Sequence, residues 1–129
     1  MKRTNLSSGS KWEDLVGYSR AIKVGNVIEV SGTVSTDHSG EIVGEGNEYL
    51  QTRFILLKLE NTLKQLGSSL EAVVRTRIYV TNIANWEKVG KAHNEIFGRI
   101  KPATTLIEVN KLIDKKYLVE IEATAILAK

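Results

Sequence analysis

Two glutamates, Glu120 and Glu122, stand two residues apart in an alternating apolar and polar segment near the C-terminus. On a strand that spacing puts both carboxylates on one face, with α-carbons about 6.6 Å apart. Paired carboxylates divide acid and base roles when their surroundings push the two pKa values apart. Arg75 and Arg77 repeat the spacing in another alternating segment, and cross-strand pairing with them would make the glutamates ordinary ion pairs. Spacing alone leaves both readings open.

Other chemistries are poorly supplied. The chain has no cysteine, which removes disulfides, thiolate nucleophiles and cysteine-type zinc sites. Its two histidines, His38 and His93, are far apart and in no metal-ligand spacing, so no metal and no cofactor is expected. His38 falls in a loop-like stretch, and His93 on an apolar helical stripe, where a satisfied core or interface histidine is the expectation over a general base. Gly44 and Gly46 before a helix resemble the start of a phosphate loop, but the third glycine is missing and an ordinary turn is the better reading. The serines at 7–10 and 68–69 have turn-like neighbours and no Ser-His-Asp order. With 18 basic and 15 acidic residues interspersed, the net charge of +3 argues against a nucleic-acid partner.

The elements that must hold these residues follow from periodicity. Residues 19–24 and 26–31 are β-branched runs joined at Gly25 and Asn26, the chemistry of a hairpin turn. Residues 36–46 read as loop. Asn47 caps a helix to Leu66, with Leu50, Phe54 and Leu57 and then Leu56, Leu59, Leu63 and Leu66 at helical spacing, and Gly67 as its stop. Residues 73–81 form a strand in which Val74, Ile78 and Val80 alternate with Arg75, Arg77 and Tyr79. Asn82 caps a second helix with a stripe of Ile83, Trp86, Val89, His93, Ile96 and Phe97, ending at Gly98. Strands follow at 104–109 and 118–127.

The order β-β-α-β-α-β-β predicts one α+β domain over residues 1–129, with two helices on one face of a mostly antiparallel sheet. The other face would carry Glu29, Ser31, Arg75, Arg77, Tyr79, Glu120 and Glu122, and needs either solvent or a partner subunit. Residues 1–11 are polar and Ser-rich, and no run approaches the roughly 18 apolar residues of a membrane span, so a cytoplasmic, soluble protein without a membrane partner is expected.

Gly17 to Ala21, Val24 to Asn26, Val30 to Gly32, Gln51 to Arg53 and Leu66 to Leu70 resemble, in order and spacing, the RidA/YjgF family, also called L-PSP. Val73 to Thr81, Phe97 and Gly98, Lys101 to Ala103 and Val119 to Ala123 extend the resemblance over nearly the whole chain. The resemblance implies a chorismate-mutase-like homotrimer with the helices outside and a small-molecule cleft between subunits. It also implies hydrolysis of reactive enamines and imines to carbonyl compounds and ammonia. The matching positions are Tyr18 and Glu120 as catalytic groups, and Ser31, Gly32, Gly90, Thr104 and Thr105 as ligand contacts. On this reading Glu122 is the glutamate left for ion pairing.

Two positions depart from the family deaminases. Where those read Pro-Ala-Arg-Ser, this chain has Pro102, Ala103, Thr104 and Thr105, so the guanidinium that would fork onto a substrate carboxylate is absent. Gly90 replaces a frequent asparagine. A desolvated carboxylate left without its arginine loses several kcal/mol, which points to a neutral or differently oriented imine, with Arg20, Arg77 and Arg99 as candidate replacement cations. The alternative is a non-catalytic metabolite-binding or regulatory trimer. A third role implied by the family, as an endoribonuclease or translation inhibitor, lacks a basic stripe interleaved with aromatics.

Overall fold

The computed structural model describes residues 1–128. Six strands form one sheet, β1 (Arg3–Leu6), β2 (Ala21–Val24), β3 (Val27–Thr33), β4 (Val73–Val80), β5 (Ala103–Glu108) and β6 (Val119–Ile126), in the spatial order β1-β2-β3-β6-β4-β5. Neighbours are antiparallel except β4 and β5, which run parallel through the crossover helix α3 (Trp86–Phe97). The long helix α2 (Glu48–Gln65) lies beside α3, and a short helix α1 (Lys11–Val16) follows β1.

Alternation in β6 decides the faces. Val119, Ile121, Ala123 and Ala125 are buried while Glu120, Glu122 and Thr124 are part-exposed. The buried set meets Ile55, Leu56, Leu59 and Leu63 of α2 and Val89 and Phe97 of α3, each large apolar side chain contributing roughly 1.5–3 kcal/mol when fully removed from water. Asn47 caps α2 by accepting from the Leu50 amide at 3.0 Å, and left-handed Gly67 follows its last turn. The expected α+β class is therefore present, with α2 and α3 on one face of the sheet.

Several sequence expectations are corrected. The segment read as a polar N-terminus, residues 1–11, contains β1, which pairs with β2, and leads into α1, which starts at Lys11. A register shift between Val73 and Arg75 turns Val74 outward, while Thr76 stays on the helix side with Ile78 and Val80. Leu50 and Leu57 of α2 are exposed, as are Ile83 and Trp86 at the entrance to α3. Buried Gln51, Thr52, Ile55, Leu56, Leu59 and Leu63 define the inward face of α2, so Leu50 and Leu57 point away from it, while Ile83 and Trp86 precede the covered part of α3, which begins at Val89 and includes Ala92. Asn82 caps a single turn at Ile83–Asn85 that leads into α3, accepting from the Ala84 amide.

Candidate functional site

Glu120 is placed by the elements on either side of it. Buried Gln51 of α2 accepts from the Leu118 amide at 2.9 Å and donates to the Lys116 and Gly44 carbonyls at 3.0 and 3.2 Å. This holds the start of β6 against the helix. The pairing of β3 with β6 shifts register between Val30 and Thr33, and Gly32 in that irregularity lies directly beneath the Glu120 carboxylate. A Cβ at Gly32 would stand 3.1 Å from the Glu120 carboxyl carbon and closer to its oxygen. Absence of a side chain there makes room for the carboxylate.

Arg20 supplies the nearby charge. Its Nη2 donates to the Gly32 carbonyl at 2.6 Å, its guanidinium lies 6.0 Å from the Tyr18 ring centroid, and its buried Nε has no partner among the described residues. Burial pushes the Glu120 carboxyl above the usual range, Arg20 pulls it back and Glu122 pushes it up again. Glu120 is thus part-buried, with a cation nearby and no hydrogen bond among the described residues. Lys58 closes the same end of the sheet, donating to the Val34 and Thr36 carbonyls at 2.7 and 2.9 Å. Burial, with Arg20 adding to it, lowers its ammonium to about 8.

Glu122 has the other fate. Its carboxylate accepts from the Tyr79 hydroxyl at 2.7 Å and lies 3.5 Å from Arg77. The cross-strand pairing expected from spacing therefore holds for Glu122 and Arg77, whose α-carbons are register partners. Arg75 instead donates to the Thr105 hydroxyl at 2.7 Å.

Tyr18 and Ser31 line an open groove of about 650 Å³ together with Arg3, Asn5, Glu29 and Glu122. Ser31 is fixed by donating to the Ser19 carbonyl at 2.7 Å. Sequence reasoning missed the β1 wall of this groove, and also Glu13, a buried carboxylate bordering it. Glu13 accepts from the Ser8 amide and from the Ser7 and Ser8 hydroxyls. Burial alone would raise its pKa, but these bonds hold it below the usual value. The pattern Ser10-x-x-Glu13 is a helix-start signal that was available.

Thr104 and Gly90 lie elsewhere. Thr104 is on β5, in register with Thr76, and Gly90 is on α3 one turn from His93. A Cβ at Gly90 would make only ordinary contact with the Trp86 ring at 3.8 Å. Glu120 registers with Tyr79, and Tyr79 with Ile107, three residues along β5 from Thr104. Within one chain Thr104 and Glu120 are therefore separated by roughly 10 Å along the strands and roughly 10 Å across them. One chain brings Gly32 against Glu120, with Arg20 joining Gly32 to the Tyr18 ring; Tyr18 and Ser31 line the groove on the Glu122 side, and Thr104, Thr105 and Gly90 lie apart from both.

No helix among the described residues is long and apolar enough to cross a membrane. The profile of the family described as Endoribonuclease L-PSP matches residues 9–127. A RutC family protein of Pyrococcus abyssi is 38% identical over 109 residues, covering 84% of each chain. The 3-aminoacrylate deaminase RutC of Acinetobacter baylyi is 29% identical over 111 residues, covering 86% of this chain and 87% of its own. The crystal structure of a YjgF/YER057c/UK114 family member from Mycobacterium tuberculosis superposes with a TM-score of 0.89 at 44% identity, over 98% of this chain and 100% of that one. With the family profile spanning almost the entire chain and the fold shared from end to end, this protein belongs to the endoribonuclease L-PSP family, whose relatives carry the RutC and YjgF names.

Proposed function

We propose that the protein hydrolyses a small reactive imine or enamine to a carbonyl compound and ammonia, in clefts formed between three copies of the chain. The observation that carries this reading is the Glu120 carboxylate, part-buried over Gly32, pushed toward protonation by burial and held by no hydrogen bond among the described residues. A carboxyl group whose proton is held more tightly than usual is suited to take a proton from an attacking water and return one to a departing amine. An enamine first takes a proton on carbon as its nitrogen gives one up, becoming the imine; water then adds to the C=N carbon, its two protons pass to nitrogen, and C=O forms as the C–N bond breaks and ammonia leaves. Arg20, bonded to the Gly32 carbonyl and beside the Tyr18 ring, steadies the Glu120 charge and supports a role for Tyr18 in orienting the substrate. The relative named as a 3-aminoacrylate deaminase supports the reaction class.

Separation of Thr104 from Glu120 within one chain supports a cleft completed by a neighbour's β5 edge. The open sheet face carries the exposed apolar side chains Val74 and Ile107, which a second copy would cover. Measuring ammonia release from imines formed from a panel of amino acids tests the reading. Release above the buffer rate that falls by at least about tenfold in Glu120→Gln is expected, whereas a panel uniformly at the buffer rate refutes it.

A second reading, a non-catalytic metabolite-binding trimer, is favoured by Thr104, where the family deaminases carry a substrate-binding arginine. Saturable binding weakened by Glu120→Ala, without any turnover, would identify it.

A further inference from the structure

Thr104 is an exposed residue on the edge strand, yet its hydroxyl is not free. Its Oγ1 lies 2.8 Å from the Thr76 hydroxyl, which lies 3.0 Å from His93 Nε2, and 3.3 Å from the Pro102 carbonyl. Each hydroxyl has one proton, and a carbonyl only accepts. With the Thr104 proton on the Pro102 carbonyl, Thr104 must accept from Thr76, and Thr76 must accept from His93 Nε2–H. The chain then runs one way, from the imidazole through two hydroxyls to the carbonyl. His93 is packed at 4.8 Å against the Phe97 ring, and burial is the only influence resolved on its titration. Protonation of the imidazole keeps Nε2–H in place, so the direction is the same in either charge state.

The consequence is a polarity at the surface. Thr104, its proton committed inward, turns a lone pair outward and presents an acceptor. We propose that Thr104 is a specificity-determining residue whose oxygen, oriented by His93 through Thr76, accepts from an N–H or O–H group of the ligand, selecting a carboxamide-like terminus over a bare carboxylate. A carboxylate brings only acceptors to this position and leaves them unpaired, and an unmatched polar group is rejected far more strongly than a missing methylene. This names the ligand class for the cleft proposed above and rests on that reading of where ligands bind.

The test titrates pyruvamide and pyruvate, which share a ketone and differ in the terminal group, into the full chain and its variants. The unsubstituted protein should bind pyruvamide at least about tenfold more tightly, a difference of about 1.4 kcal/mol. Thr104→Val, a change of similar shape at an exposed site, should abolish the preference, and Thr104→Arg should reverse it. Thr76→Val, which cuts the chain, should shrink the preference while Thr76→Ser retains it. Nitrogen NMR should find His93 protonated on Nε2. Equal affinities, a preference surviving Thr104→Val, no saturable binding of either compound, or a bare Nε2 would each overturn the proposal. A preserved preference without ammonia release in the imine panel would sink the hydrolase reading and leave this one standing.

Discussion

Replacing Gly32 with alanine is expected to disable the site with little effect on the fold. Gly32 does not have a left-handed φ, so alanine meets no backbone strain there. The new Cβ would lie 3.1 Å from the Glu120 carboxyl carbon and 3.4 Å from its Cγ. Ordinary carbon contacts fall at about 3.5–4.0 Å, so the carboxylate, whose oxygen is nearer still, must retreat by about 1 Å. Glu120 is the flexible end of a long side chain, and an off-rotamer adjustment costs about 0.5–1.5 kcal/mol. Loss of glycine's freedom in the unfolded chain returns about 0.4–1 kcal/mol. Net stability should therefore stay within about 1 kcal/mol of the parent by urea denaturation. The rate is another matter, because a displacement of about 1 Å at a reacting group costs on the order of 100-fold. Initial rates of ammonia release, measured beside the denaturation curves, separate the two effects. Full activity at unchanged stability would refute the placement of Glu120 at the chemistry, and a stability loss beyond about 3 kcal/mol would refute the claim that the carboxylate can yield.

Glu13→Ala should cost about 2–3 kcal/mol in urea denaturation, because the Ser8 amide and two hydroxyls lose a charged acceptor in a buried site. The parent's Glu13 contribution is present above the ordinary glutamate range and lost as pH falls through its lowered pKa, and the variant should lack that acid-side dependence. Glu120 has the opposite sign: its raised pKa means that the native state holds the proton longer than the unfolded chain, so stability falls as pH climbs through that interval. Glu120→Gln should remove this fall in melting temperature and, in the rate profile, the matching ionisation limb. Lys58 sheds its proton at about 8 in the native state against 10.5 for the unperturbed group, so it contributes stability that rises with pH across that window. Lys58→Met should flatten the rise in melting temperature measured over the same range.

Much of the architecture was legible because its elements bury one face at a regular period. Leu56, Leu59 and Leu63 mark α2, and the alternation from Val119 to Ala125 marks β6 and sets its polar face. Those same patterns mislead where a helix carries more than one apolar stripe or begins before the layer that covers it. Leu50, Leu57 and Trp86 fit helical stripes and are nonetheless exposed: two leucine stripes run along α2 and only the one through Leu56, Leu59 and Leu63 faces the sheet, while Trp86 stands before the covered part of α3. The β1 and α1 segment has little apolar periodicity to find. It is held by backbone pairing to β2 and by a buried glutamate satisfied by serines, and both depend on contacts made in the folded chain.

At the candidate site, composition and order alone determined that Glu120 and Glu122 share a face and that no thiol chemistry is available. Tertiary structure decided how the two glutamates differ. Cross-strand register gives Glu122 to Arg77 and Tyr79, while an irregularity in β3 sets Gly32 and Arg20 beside Glu120 and leaves its carboxylate without a hydrogen bond among the described residues. It also joined Thr104 to His93, eleven positions apart in the chain, through a hydroxyl on a third element. A strand's period of two assigns faces from local geometry alone, but a charge's partners and a proton's direction are set by which strands and helices come to lie alongside.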